Sequence, residues 1–246
     1  MRLAILTDLH ANREAYATVL ADLAQRGIDR IAILGDIVGY GPDPEWCLEK
    51  TMALQAAGAI VVRGNHDAAA VDPDDMMNAT ARLSLDWTRS RLTTDQRAWL
   101  GALPLTESLG DILFVHASAN SPGDWIYIRS ERSATPSFRV AKERLIFCGH
   151  VHVPALMTCD RSGNVRAHQV IHGVPIPLLT SRRWLGVVGS VGQPRDGTPQ
   201  AGWALLDTAT NELTFRRTAY DIASTVAKIR AEGLPEALAL RLMRGE

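Results

Sequence analysis

The sequence predicts an α/β fold, and three observations carry that prediction. Five short apolar runs each end abruptly in polar residues: "LAILTDLH" (3–10), "IAILGDIVGY" (31–40), "AIVVRGNHD" (59–67), "DILFVHAS" (111–118) and "LIFCGHVH" (145–152). Their apolarity is near-continuous rather than alternating, as in strands covered on both faces. Between the first three lie "NREAYATVLADLAQR" (12–26) and "PEWCLEKTMALQAA" (44–57), whose apolar residues recur at helical spacing, so the chain begins βαβαβ. Composition agrees: of 246 residues 46% are hydrophobic and 22% charged, the balance of an ordinary globular protein.

The later elements read differently. "PALMTCDRSGNVRAHQV" (154–170) predicts two strands joined by a turn at Arg161–Asn164, and "GWALLDTATNELTFRRTAY" (202–220) a second hairpin turning near Thr210 and Asn211. The second half is therefore expected to be largely antiparallel. The last 26 residues read as two helices split by Gly233-Leu234-Pro235. No linker, low-complexity segment or charged tail divides the chain, so residues 1–246 are expected to form one domain.

Charge and cysteine usage narrow the function classes. A formal net charge of −1 and the lack of a basic run argue against nucleic-acid binding by bulk charge. The apolar run at the amino terminus breaks at Asp8, too short for a signal segment or a membrane span. Cys47, Cys148 and Cys159 have neither disulfide-framework nor zinc-site spacing and read as buried small hydrophobes, which points to a reducing, cytoplasmic setting.

In parallel sheets, ligands bind beyond the carboxyl ends of the strands. The five runs bring Asp8, His10, Asp36, Asn65, His66, His116, His150 and His152 to such ends, and five of the seven histidines in the chain are among them. Aspartate, asparagine and histidine offer oxygen and nitrogen without thiolate, a donor set for manganese, iron, zinc, cobalt or nickel. Eight such side chains exceed one tetrahedral site. Two ions about 3.5–4 Å apart would use the set, an arrangement that serves in-line displacement at phosphorus.

The motifs "DLH" (8–10), "GDIVGYG" (35–41), "GNHD" (64–67), "VH" (115–116) and "GHVH" (149–152), in this order, resemble the calcineurin-like metallophosphoesterases. The resemblance implies a four-layer α/β/β/α sandwich of two mixed sheets with a binuclear site at one rim. It implies that Asp8, His10, Asp36 and His152 hold one metal and Asp36, Asn65, His116 and His150 the other, with Asp36 bridging and manganese the foremost ion. His66 is then free to face substrate, donating a proton to the leaving oxygen or stabilising charge, with Asp67 expected to orient its ring.

The stretch "GSVGQPRDGTPQAGWALLD" (189–207) resembles the segment that closes the site in bacterial phosphoesterases grouped with diadenosine tetraphosphatase-like proteins, although Val187-Val188-Gly189-Ser190 stands where that branch often has Asn-Pro-Gly-Ser. Ser190 and Arg195 could meet a substrate phosphate there, or the stretch is a Gly-rich turn with a solvated Arg. Trp125 and Tyr127 could stack on a base or fill a small core under their loop. Asn12 reads as a helix N-cap or a contact to the site. His168 and His172 match no motif and read as structural, and the acidic "VDPDDMM" (71–77) as a solvated helix start.

The expected function is hydrolysis of phosphomonoesters or phosphodiesters, nucleotides included, with a small-molecule substrate and no membrane. A protein-interaction scaffold on the same fold is the alternative; it would be favoured by gaps in the ligand set, and all eight positions are filled. A nuclease could use the same ions, but the near-zero net charge argues against it.

Overall fold

The computed structural model describes residues 1–72 and 77–246. In chain order its elements are β1 (Arg2–Leu6), α1 (Arg13–Ala24), β2 (Arg30–Ile33), α2 (Pro44–Ala56), β3 (Ile60–Val61), α3 (Asn65–Val71), α4 (Ala79–Arg91), α5 (Thr94–Ala102), β4 (Thr106–Leu109), β5 (Ile112–Val115), α6 (Glu131–Val140), β6 (Leu145–Cys148), β7 (Ala155–Cys159), β8 (Val165–His168), β9 (Ile176–Pro177), β10 (Arg183–Val187), β11 (Ala201–Asp207), β12 (Glu212–Thr218), α7 (Ile222–Ala231) and α8 (Glu236–Arg244). They build two mixed six-stranded sheets, β3-β2-β1-β11-β12-β9 and β4-β5-β6-β10-β7-β8.

Side-chain alternation explains the layers. In β1, Leu3 and Ile5 enter the core between the sheets while Ala4 and Leu6 face the helices. In β6, Leu145 and Phe147 join that same central core, and Ile146 and Cys148 turn outward beneath Phe138 of α6. Both faces are thus covered, which is why these runs are apolar without interruption. Burying one such Leu, Ile or Phe side chain contributes roughly 1.5–3 kcal/mol. The order helix, sheet, sheet, helix is the expected four-layer sandwich.

The parallel pairing of β1 with β2 and of β2 with β3, and of β5 with β6 and of β6 with β10, leaves carboxyl ends from both sheets at one rim. The five apolar runs therefore belong to two sheets whose polar termini meet. Both expected hairpins form, β7 with β8 and β11 with β12, the second turning through Asn211 at φ 55°. The two carboxyl-terminal helices form on either side of residues 232–235. Their apolar residues Val226, Ile229, Leu238 and Leu242 pack with Tyr40 and Ala81 in a satellite core.

In the acidic stretch 71–77, residues 73–76 lie outside the described residues. Val71 and Asp72 end α3 rather than opening a helix, and the next helix, α4, is capped by the Asn78 side chain. All three cysteines are buried free thiols, as expected. Among the described residues no helix is long and apolar enough to cross a membrane.

Candidate metal centre

The rim loops carry backbone that side chains rarely adopt. Asp8, His10, Asp36, His150 and His152 all have φ between 47° and 67°. Non-glycine residues tolerate this left-handed region only where surrounding structure holds them, and such residues cluster at functional sites. The holding groups are visible. Thr7 Oγ1 and the His150 N–H each donate to Asp8 Oδ2 at 3.0 Å, and the His66 N–H donates to Asp36 Oδ1 at 2.8 Å. Gly149 is what lets the "GHVH" turn lie against β1, since a Cβ there would overlap Thr7 Oγ1.

The buried side chains form two groups that share Asp36: Asp8, His10, Asp36 and His152, and Asp36, His116 and His150, with donor atoms in each group within 4.8 Å of one another. Asn65 joins the second group, its Oδ1 lying 3.1 Å from His116 Nε2. His116 Nε2 is also 3.2 Å from His150 Nδ1 and 3.4 Å from Asp36 Oδ2. In the first group His152 Nε2 lies 3.1 Å from His10 Nε2 and 3.4 Å from Asp8 Oδ1.

Tautomers decide what this crowding means. His116 Nδ1 lies 2.7 Å from the Leu34 carbonyl oxygen and His152 Nδ1 2.6 Å from that of Gln193. A carbonyl only accepts, so each Nδ1 carries the proton and, in the neutral ring, each Nε2 presents a lone pair to carboxylate oxygens and to other ring nitrogens. Lone pairs and carboxylates converging at 3.1–3.4 Å repel unless positive charge sits among them. A divalent cation fits that requirement, with nitrogen and oxygen donors and backbone carbonyls orienting the imidazoles from behind.

Ionisation follows the same logic. Burial alone would raise Asp8 and Asp36, but His152 beside the first and His116 and His66 beside the second hold both carboxyls below their usual range. Burial opposes a charge on His116 too, yet Asp36 and Asp8 outweigh it and push this imidazole up to about 9. His66 is pushed down to about 4 and His150 to about 3, mainly by burial.

Two expected site residues, Asp67 and Ser190, stand elsewhere in the network, while Asn12 takes the helix-cap reading. Asp67 does not orient His66: its carboxylate accepts from the N–H groups of Ile37, Val38 and Gly64, tying the "GDIVGYG" loop to α3. His66 Nδ1 is buried without a partner. Ser190 is fully buried, donates to the Asp8 carbonyl and accepts from the Gln193 N–H, so it clasps the Asp8 loop rather than facing substrate. Asn12 caps α1 and donates to the Gly192 carbonyl and the Tyr220 hydroxyl. Arg195 does lie at the site, its guanidinium carbon 5.7 Å from the Tyr40 ring centroid and its N–H groups on Gln193 Oε1. Trp125 borders the second group, its ring edge-on to His116 at 5.8 Å, and Tyr127 stacks on His150 at 4.0 Å. His168 and His172 join neither group. Sequence reasoning missed Tyr40 and Gln193; Tyr40 lay inside a quoted motif, whereas the Gln193 carbonyl left no signal.

A model of the calcineurin-like phosphoesterase superfamily domain matches residues 1–211. The chain belongs to that superfamily. An uncharacterized protein of Methanocaldococcus jannaschii is 33% identical over 249 residues, covering 99% of this chain and 98% of that one. The crystal structure of a metallophosphoesterase from Sphaerobacter thermophilus superposes with a TM-score of 0.89 at 39% identity, over 100% of this chain and 99% of that one. A hypothetical protein from Pyrococcus horikoshii OT3 shares the fold, with a TM-score of 0.80 at 22% identity over 100% and 98% of the two chains. For a member of this superfamily, the helical hairpin α7–α8 is of interest because it lies beyond the matched residues yet packs against Tyr40.

Proposed function

We propose that the chain is a binuclear metal-dependent phosphoesterase acting on phosphomonoesters or phosphodiesters, nucleotides among them. The observation that carries this reading is the convergence of fixed-tautomer imidazole lone pairs on buried carboxylates, in two groups with Asp36 in common. Asp8, His10, Asp36 and His152 would hold one cation and Asp36, Asn65, His116 and His150 the other, manganese being the foremost candidate and iron, zinc, nickel or cobalt the others. When bound, the ions supply the charge that polarises the phosphoryl group and acidifies the attacking water.

The remaining chemistry belongs to the chain. Two carboxylates against two divalent ions leave the centre net positive, which attracts a phosphoester. Arg195 adds a guanidinium at the rim, suited to two phosphoryl oxygens. His66, neutral at ordinary pH because burial holds it near 4, has its Nδ1 enclosed and leaves an Nε2–H to hydrogen-bond the leaving oxygen and stabilise the charge that develops there. Trp125 borders the path on the His116 side and would contact the leaving group. All of residues 1–246 act as one domain in this reading, since α7–α8 completes the site wall, and the three free thiols suit the cytoplasm.

The test is turnover by metal-free protein reloaded with manganese, using a nitrophenyl phosphomonoester and the bis-nitrophenyl diester, each against His66→Ala. The wild type should turn over at least one ester, and His66→Ala should keep its metal while losing about 10²–10⁴-fold in kcat. No turnover of either ester with both ions bound would move the chain to a scaffold role.

A further inference from the structure

A buried imidazole that acts in catalysis usually has a hydrogen-bonded partner fixing its ring. His66 has none at Nδ1, and Asp67 is committed to backbone. What surrounds the ring is the "GYG" turn. A Cβ on Gly39 would overlap His66 Nδ1, so the absence of a side chain there makes the seat. The Tyr40 ring packs against His66 with centroids 4.4 Å apart and against His10 at 4.7 Å, filling the wedge between them.

Tyr40 is itself firmly set. Its φ of 66° is costly for a bulky residue, of order 1–3 kcal/mol, and persists only where neighbours over-determine it. Its N–H donates to Ser84 Oγ, the next N–H, of Gly41, donates to the His10 carbonyl, and the α7–α8 hairpin backs the ring. The Arg195 guanidinium lies over this ring, 5.7 Å from its centroid, and is held by Gln193 Oε1; burial pushes the Tyr40 hydroxyl up, and the neighbouring Arg195 opposes that push.

We propose that Tyr40 is a positioning residue with two separable parts: its ring fixes the His66 imidazole, and its hydroxyl fixes the Arg195 guanidinium. The inference rests on the reading above, in which His66 serves the leaving group and Arg195 the phosphate. Hydrophobic packing and a glycine seat thus replace the usual carboxylate partner. The ring governs kcat through His66, and the hydroxyl governs KM through Arg195.

The chain of residues 1–246 loaded with zinc or manganese tests this with Tyr40→Asn, Tyr40→Phe, His66→Ala, Arg195→Gln and the doubles Tyr40→Asn/His66→Ala and Tyr40→Phe/Arg195→Gln. Asn suits the positive φ, so it removes the ring while keeping the turn. Tyr40→Asn should lower kcat about 10–100-fold at unchanged metal content, with no further loss in the His66→Ala background. Tyr40→Phe should keep kcat and raise KM several-fold, and lose that effect in the Arg195→Gln background. In the zinc-loaded protein the His66 imidazole NMR signals should shift and broaden in Tyr40→Asn and stay put in Tyr40→Phe, a readout that needs no turnover. Equal losses from Tyr40→Asn with and without His66, unmoved His66 signals, or loss of metal from Tyr40→Asn would overturn the ring's role. A KM effect of Tyr40→Phe that persists without Arg195 would overturn the hydroxyl's. If His66→Ala keeps full activity while the signals move as expected, the functional reading fails and the positioning stands.

Discussion

The two donor groups that share Asp36 are built unequally. Around Asp8, His10 and His152 the site is walled in: Tyr40 packs on His10, the Gln193 carbonyl accepts from His152 Nδ1–H, the Ser190 clasp grips the Asp8 loop, and Ile229, Leu238 and Leu242 stand across a cavity of only about 10 Å³. Around Asn65, His116 and His150 the wall is thin. Asn65 is only partly buried, and the neighbours are the partly exposed Trp125 and the exposed Tyr127. The first group is thus the more enclosed of the two and the second the more open.

The largest break in this comparison comes at the shared carboxylate. Asp36→Ala removes an oxygen donor from both groups and leaves buried imidazoles without their counter-charge. Both ions should be lost from the purified protein and kcat should fall more than about 10³-fold. A crystal of that variant with two tightly held ions would remove Asp36 from the bridging role.

Next in size is a pH effect confined to the open group. His116 is pushed up to about 9, so an incoming cation must displace its proton, whereas His10 is pushed well down and is already neutral. Metal affinity at the open group should rise about tenfold per pH unit until pH 9, with the closed group flat over pH 7–9. The raised His116 also stabilises the metal-free fold: that contribution is complete below its ordinary pKa of 6.5 and is lost as pH rises through about 9. Tm of chelated protein should therefore fall over that window, and equal pH slopes for the two ions by calorimetry would contradict the asymmetry.

Smaller again is Lys228→Met. Lys228 Nζ donates to Glu14 at 2.5 Å and to Asp43 at 2.9 Å, and the Thr225 hydroxyl of the same helix lies within hydrogen-bond distance of Asn12 Oδ1 and Glu14 Oε2, which latches α7 to the chain just after His10. Losing the ammonium leaves two carboxylates facing each other and should cost about 1–2 kcal/mol in chemical denaturation. The closed group should lose affinity about tenfold while the open group keeps its own; matched losses in both would show that the hairpin braces the whole rim.

What the sequence made legible, and what it hid, divides along similar lines. The seven candidate ligands could be read because metal chemistry demands particular side chains and β-strand ends are marked by where apolarity stops. The carbonyls of Leu34 and Gln193 that orient two of those imidazoles were invisible, since every residue has a carbonyl. Asp67 and Ser190 misled because a polar side chain beside a ligand can satisfy backbone as readily as substrate. Helices α4 and α5 went unassigned: few of their positions are buried, and Ser84 and Thr88 take places that an apolar stripe would fill. In α6, Pro136 interrupts the expected helical signal.

The mildest variant addresses the open side alone. Trp125 sits at φ 52°, partly exposed, with its ring turned edge-on to His116 and no buried cluster claiming it. Its loop neighbour Ile128 does enter the core beneath, so the loop is anchored without the indole. Trp125→Ala should leave Tm within about 1–2 °C and metal content unchanged, because no hydrogen bond or core contact is lost. If the indole borders the path of the leaving group, KM for a nucleotide or aryl ester should rise about 3–10-fold, the worth of one stacking contact, while an alkyl phosphate of equal charge is unaffected. Equal KM changes for both esters would mean that Trp125 shapes the loop rather than touching the substrate, and the open side would then owe its openness to Asn65 and His150 alone.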